Sequence, residues 1–130
     1  MTSIRGFAIC AAILLGINSA PAFSEEEIAR FKGRNNGETR TFTVDGPWLL
    51  DWRVNSDYRN EAGFELRLLD ASTGRFHSQI MKIRGIGNGL KLFEEEGRFK
   101  FEVVSSFTDW TLKVITLTED EAATYSPVDP

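Results

Sequence analysis

Few side chains in this chain have the types and spacing that catalysis requires. The only histidine is His77, which Ser78 follows directly, and the only cysteine is Cys10. A serine nucleophile needs a base and an acid placed around it in space, and the chain has no G-x-S-x-G elbow. A zinc site usually takes three or four ligands, most often histidines and cysteines. We therefore interpret His77 as a surface strand residue, and we predict no catalytic residue and no metal site.

Carboxylates could form two further kinds of site, although neither has the spacing of a known motif. A glycosidase needs two carboxyl groups about 5–10 Å apart across a sugar cleft, and three acids are candidates for such a pair. They are Asp45, Asp51 and Glu65. Calcium takes several oxygen ligands, which Glu94 to Glu96 with Asp70 or Asp57 could supply, but EF-hand spacing is absent. We interpret these acids as solvated side chains.

A G-x-G-x-G run at Gly85, Gly87 and Gly89 is not a phosphate loop. It lacks the Gly-Lys-Ser/Thr ending, and no predicted helix follows it. Asn88-Gly89 readily adopts positive φ, so the run predicts a hairpin or a loop that crosses between sheets. We expect no cofactor.

The aromatic residues divide into core candidates and loop candidates. Trp48, Trp52 and Trp110 share strand faces with aliphatic residues, which indicates core positions where each would bury about 150–250 Å². The alternative is that they are exposed and stack on sugar rings. The apolar residues that alternation leaves unexplained are Tyr58, Ile86 and Phe107, each in a predicted loop. Because loops often carry binding residues, these three are the candidate binding residues.

Period-two alternation, interrupted by turn residues, runs from Ile28 to Leu117 and is typical of short strands. The segment WLLDWRV at 48–54 shows it most clearly, and no helical period is sustained. The pattern predicts an all-β fold, an antiparallel β-sandwich of about seven to eight strands with a jelly-roll or Greek-key-like arrangement. The predicted inward side chains are Trp48, Trp52, Phe64, Leu66, Phe99, Phe101, Trp110 and Leu112.

Residues 1–22 have the three-part layout of a secretory signal peptide. Arg5 precedes an apolar run at 7–16, and Ala20-Pro21-Ala22 forms an A-x-A cleavage pattern. The run is about half as long as a membrane span. We expect cleavage after Ala22 and export to the periplasm or the outside of a bacterial cell, with no stable membrane anchor once the leader is removed.

The remaining chain predicts one β-sandwich domain over residues 23–118 and a flexible tail over 119–130. Without Cys10 the mature protein is disulfide-free and depends on its core for stability. Loss of Arg5 changes the formal net charge from −4 to −5. An acidic domain gives no electrostatic reason to expect nucleic acid as a partner.

The segment 41–117 resembles small bacterial secreted β-sandwiches of the pre-peptidase C-terminal and CUB-like kinds. The shared rhythm is Phe-Thr-Val, a turn, Trp-Leu-Leu-Asp-Trp, then FELRLLDA with a Ser-Thr-Gly turn, and EGRFKFEV leading into DWTLKV. The pair of aromatics usual in the late strand is here Arg98-Phe99, and we expect a stand-alone domain with no enzyme attached. The resemblance implies a sandwich fold and a role as an appendage or binding module.

Three functions remain open from the sequence. The first is a non-catalytic binding module for a protein or a glycan, and the second is an inhibitor of a hydrolase such as a lysozyme. The third, a small hydrolase, lacks a recognisable nucleophile, base or metal set. A glycan binder should show two coplanar exposed aromatic rings, whereas an inhibitor should present a protruding loop with few internal contacts.

Overall fold

Strands dominate residues 25–125, the part of the chain that the computed structural model describes. The predicted signal peptide, residues 1–22, lies outside this range. The strands are β1 (Glu26–Arg34), β2 (Gly37–Glu38), β3 (Phe42–Val44), β4 (Trp48–Asn55), β5 (Gly63–Asp70), β6 (Phe76–Arg84), β7 (Gly87–Phe93), β8 (Gly97–Ser106) and β9 (Asp109–Thr116). A helix, α1 (Glu119–Tyr125), follows them.

The strands form two antiparallel sheets. One has the order β1-β9-β4-β7, and the other has the order β2-β8-β5-β6, with β3 pairing on β8 beside β2. The pairs β1–β9, β2/β3–β8, β4–β7 and β5–β6 are nested within one another along the chain. With β2 and β3 counted as one interrupted strand, this is the rolled-up arrangement of a jelly roll. The prediction of an all-β sandwich is confirmed. The described residues form nine strands, slightly more than the seven to eight predicted.

The core lies between the sheets and is rich in aromatic rings. Seven of the eight predicted inward side chains are buried, and Trp48 is stacked on Phe93 with ring centroids 4.2 Å apart. Trp52 is the exception, since it packs against the core but stays half-buried beside the edge strand β7. Alternation identified its inward direction correctly but does not show that its strand lies next to an open edge.

The predicted glycine loop is mostly strand. Only residues 85–86 turn, and the chain crosses there from β6 in one sheet to β7 in the other. Gly87 and Gly89 pair with Val54 and Trp52, and a Cβ atom on either glycine would come within 3.1–3.2 Å of the Trp52 ring. These glycines therefore make room for an aromatic ring from the neighbouring strand.

Both ends of the described chain are more ordered than the sequence suggested. The polar start at Glu26 is the first residue of β1, which pairs along β9. Part of the predicted tail is α1, whose Ala122 packs with Leu49 and Leu117 on the outer face of the first sheet. No helix within residues 25–125 is long and apolar enough to cross a membrane.

Candidate functional site

Four connections meet at one end of the sandwich, because alternate turns of a nested antiparallel fold lie on the same side. They are residues 35–36, 56–62, 85–86 and 107–108, and we call this surface the loop end. Backbone hydrogen bonds join neighbouring connections. The Asn35 amide donates to the Thr108 carbonyl over 2.9 Å, and the Gly85 amide donates to the Ala62 carbonyl over 2.9 Å.

All three candidate binding residues lie at the loop end. Tyr58 and Phe107 are in direct contact, with ring centroids 5.5 Å apart and ring planes inclined by 57°. They remain 58% and 53% exposed. Ile86, 37% exposed, borders a separate depression of about 630 Å³ beside Val54. The structure thus pairs two of the predicted residues and places the third on the same end of the molecule.

Phe107 has a backbone conformation that aromatic residues rarely adopt. Its φ is 60°, in the left-handed region, where a bulky side chain costs roughly 1–2 kcal/mol. A strained residue persists only where its surroundings hold it. Because Phe107 also exposes more than half of its surface, burial of its ring does not account for this strain.

The turn at residues 35–36 holds the Phe107 turn in place. The Asn35 side-chain oxygen accepts a hydrogen bond from the Thr108 amide at 3.3 Å, and the Asn35 carbonyl accepts one from the Trp110 indole at 2.9 Å. The Asn36 side-chain oxygen accepts one from the Ser105 amide at 2.8 Å, and the hydroxyl groups of Ser105 and buried Thr108 bond to each other. Phe107 is therefore presented on a preorganised support.

The loop that carries Tyr58 has its own local order. The Tyr58 amide donates to the Ser56 hydroxyl over 2.9 Å, and the Glu61 amide donates to the Tyr58 carbonyl over 3.0 Å. These are the side-chain and backbone bonds of short turns. Tyr58 is thus held by local bonds while its ring rests against Phe107.

A charged pair lies beside the two rings. The Arg34 guanidinium donates to an Asp109 carboxylate oxygen over 2.8 Å. This hydrogen bond raises the pKa of Arg34, and the charge of Asp57 adds a smaller contribution in the same direction. An open depression of about 220 Å³ connects this pair with Tyr58 and Phe107. The loop end therefore combines exposed aromatic surface with fixed charge.

His77 lies at the other end of the sandwich, near the start of β6. Its imidazole contacts the Ser78 hydroxyl at 3.2 Å and a Glu95 carboxylate oxygen at 3.4 Å, and its ring rests edge-on against Phe99. The order hydroxyl, imidazole, carboxylate is that of a hydrolytic relay. However, the His77 and Glu95 side chains are 32% and 60% exposed, so the pair is open to solvent and Glu95 is not held in place as a relay requires. We interpret the contact as a surface interaction at this end of the sandwich, not as a catalytic arrangement.

The acidic residues do not form the sites that the sequence left open. Asp51 points outward from one sheet and Glu65 from the other, with the core between them, while Asp45 lies in the turn before β4. Among residues 25–125 no group of three or more metal-binding side chains is placed to hold an ion. Asp51 and Glu65 therefore do not form a glycosidase pair, because they lie on different sheets with the core between them.

Asn35 is the site residue that the sequence analysis missed. Its φ of 58° and its three hydrogen bonds to Thr108 and Trp110 make it the connection between two turns of the loop end. The signal was present as Asn35-Asn36-Gly37, a turn-forming triplet between two polar stretches. That triplet predicts a turn, but not which other turn it supports.

Comparisons of the sequence with known protein families and with curated proteins found no match.

Proposed function

We propose that this protein is a non-catalytic binding module that recognises a protein partner through the loop end. The observation that carries the proposal is the contact between Tyr58 and Phe107, two rings that touch while each remains more than half exposed. Aromatic anchors are enriched at protein interfaces. Their rigid support lowers the ordering cost of binding.

A protein partner fits this geometry better than a flat sugar. A glycan binder should present coplanar rings, and these ring planes are inclined by 57°. An angled pair suits a side chain inserted beside it. Inhibition of a hydrolase is less well supported, because the connection that carries Phe107 has only residues 107–108 and is hydrogen-bonded to Asn35. A loop-insertion inhibitor should present a protruding loop with few internal contacts.

The test is capture from a bacterial extract with the immobilised protein, comparing wild type with a Tyr58→Ala, Ile86→Ala, Phe107→Ala triple variant. We expect the triple variant to lose the captured protein. Because Tyr58 and Phe107 are more than half exposed and Ile86 is 37% exposed, its free energy of unfolding should fall by no more than about 1–2 kcal/mol. Urea unfolding of each variant checks this.

Phe76→Ala is the matched control. Phe76 is 59% exposed and opens β6, at the end of the sandwich opposite the loop end. The Phe76→Ala variant should capture the same protein as wild type. Equal capture by the triple variant, or equal loss in Phe76→Ala, would contradict the proposal. So would hydrolysis of a glycan, ester or peptide by the purified protein that disappears in His77→Ala.

A further inference from the structure

A row of cations follows the outward face of β1. Arg30, Lys32 and Arg34 alternate with residues that face the core, among them Phe31 and Gly33. Side chains two apart in a strand point to the same side. The three cations therefore project together from the edge strand of the first sheet.

The sheet register extends this row toward β4. Lys32 pairs with Thr111 on β9, and Thr111 pairs with Arg53 on β4. Neighbouring strands are about 4.8 Å apart, so Lys32 and Arg53 stand about 10 Å apart with the Thr111 hydroxyl between them. In the adjacent row, Arg34 pairs with Asp109. We call Lys32, Arg34, Arg53 and Thr111 the basic cleft, and they line an open depression of about 520 Å³.

Two of the three cations in the basic cleft have a carboxylate partner, and the third, Lys32, keeps its charge unpaired among the described residues. Arg34 is paired with Asp109 at 2.8 Å, and Arg53 lies 3.7 Å from Asp51. Lys32 is exposed and makes no ion pair with any residue of the described range. The cleft is thus locally cationic in a chain whose formal net charge is −4.

The carboxylates of the protein concentrate away from the basic cleft. Three acidic runs, at 25–27, 94–96 and 119–121, lie at the start of β1, between β7 and β8, and in the first turn of α1. All three are at the end opposite the loop end, because β1 and β8 begin there and β9 ends there. The three acidic runs are therefore remote from the basic cleft, which lies next to the aromatic pair.

The basic cleft is continuous with the proposed binding surface. Arg34 and Asp109 line both the 520 Å³ depression and the smaller one that contains Tyr58 and Phe107. A single ligand could thus place anionic groups on the cations and an apolar group on the rings. The interspersed acids Asp109 and Asp51 suit separated carboxylates better than a continuous run of phosphates.

We infer that the partner presents an acidic, extended peptide segment, whose carboxylates bind Lys32 and Arg53 while a neighbouring apolar side chain contacts Tyr58 and Phe107. This inference rests on the proposed function. Carboxylates two residues apart in an extended chain lie on the same side and about 7 Å apart. Lys and Arg have long, flexible side chains, which can close the difference from the distance of about 10 Å between the backbone positions of Lys32 and Arg53.

The probe for the test is a fluorescein-labelled twelve-residue peptide of alternating Glu and Ser, with a Trp at its centre. Binding is followed by fluorescence polarisation at low salt. A peptide with Gln in place of Glu is the uncharged control. We expect the Glu peptide to bind, the Gln peptide to bind at least tenfold more weakly, and about 0.5 M NaCl to remove most of the difference.

The variant is Lys32→Glu with Arg53→Glu, and the matched control is Lys82→Glu with Arg84→Glu. The control makes the same charge change at exposed positions of β6 in the other sheet. We expect the first variant to weaken binding of the Glu peptide by about tenfold or more, and the control by less than about threefold. Urea unfolding confirms that both variants remain folded.

Four outcomes would overturn the inference. The first is that wild type does not bind the Glu peptide, and the second is that it binds the Gln peptide equally well. The third is that both charge variants weaken binding equally. The fourth is that Lys32 and Arg53 bind dextran sulfate but do not bind the peptide. The proposed function is tested separately. If the captured protein still depends on Tyr58 and Phe107 but is insensitive to Lys32→Glu with Arg53→Glu, the binding module stands and the acidic segment does not.

Discussion

At the scale of single residues, Phe107 combines two features that stability alone does not favour. Its backbone is in the left-handed region and its ring is mostly in solvent. A glycine at this position would relieve the strain, and a polar residue would remove the exposed apolar surface. That position 107 holds neither a glycine nor a polar residue agrees with a ring whose role is contact with a partner. Substitutions that separate the effect of the backbone from the effect of the ring test this interpretation.

We expect Phe107→Gly to be more stable than Phe107→Ala by about 1 kcal/mol. Both remove the ring, but only glycine adopts a φ of 60° without steric cost. In most loop positions the order is reversed, because glycine gains more entropy in the unfolded chain. Urea unfolding measures both variants.

Tyr58 supplies the control for this comparison. It is similarly exposed, and Asn35 and Phe107 are the only residues other than glycine with positive φ in the described range. Tyr58→Ala should therefore be at least as stable as Tyr58→Gly. If glycine were also the less stable substitution at position 107, the strain argument would fail. Both Phe107 variants should lose partner binding equally.

At the scale of elements, β1 reaches the loop end only because Gly33 lies opposite Trp110. The two residues are directly paired, and a Cβ atom at position 33 would overlap the indole ring. The same ring donates its N–H to the Asn35 carbonyl. The close approach of strand to ring therefore also positions the turn that supports Phe107.

Gly33→Ala should lower the free energy of unfolding by about 1–3 kcal/mol, because the Trp110 ring must shift in a packed core. It should also weaken partner binding by displacing Asn35. Gly63→Ala is the matched control, since Gly63 opens β5 and a Cβ there meets nothing within 4 Å. Urea unfolding of both variants checks the difference. Similar stability for the two would show that the Trp110 ring has room to move.

The alternation of apolar and polar residues predicted the strands well wherever a strand has one face exposed to solvent. The inward direction of Trp48, Leu50 and Val54 and of Phe99, Phe101 and Val103 follows directly from it. It missed α1, although Thr118 and Glu121 form a capping box through reciprocal hydrogen bonds of 3.1 and 2.8 Å. That motif was visible in the sequence. The helix has only seven residues, too few for an apolar period to show.

The sequence indicated three exposed residues of the candidate site, but neither Asn35 nor the way in which the site is assembled. Tyr58, Ile86 and Phe107 were identified because strand alternation left them unexplained. Their common location depends on the order of strands, which pairs residues far apart in the chain. The basic cleft depends further on register, since Lys32 and Arg53 lie in one row only because Thr111 pairs with both. Local patterns carry no information on such pairings.

At the scale of the whole molecule, the nested topology means that the entropy cost of closing the chain rises from the innermost strand pair to the outermost. The innermost pair, β5–β6, is joined by residues 71–75 alone, whereas β1 and β9 come from opposite ends of the sandwich sequence. Loop-closure entropy rises with the length of chain enclosed. The inner turn is also locally stabilised, since an Asp70 carboxylate oxygen accepts the Ser72 amide at 2.8 Å.

We therefore expect the β5–β6 hairpin to form in the folding transition state and the β1–β9 pairing to form later. Ile80 on β6 and Phe31 on β1 are both 8% exposed and both belong to the main core. Ile80→Val and Phe31→Leu should each cost about 1 kcal/mol. In the Ile80 variant this loss of stability should come mainly from slower folding, and in the Phe31 variant mainly from faster unfolding. Stopped-flow measurements of both rates against urea separate the two effects. The opposite partition, with Phe31→Leu slowing folding, would place the closure of the outer strands before the inner hairpin.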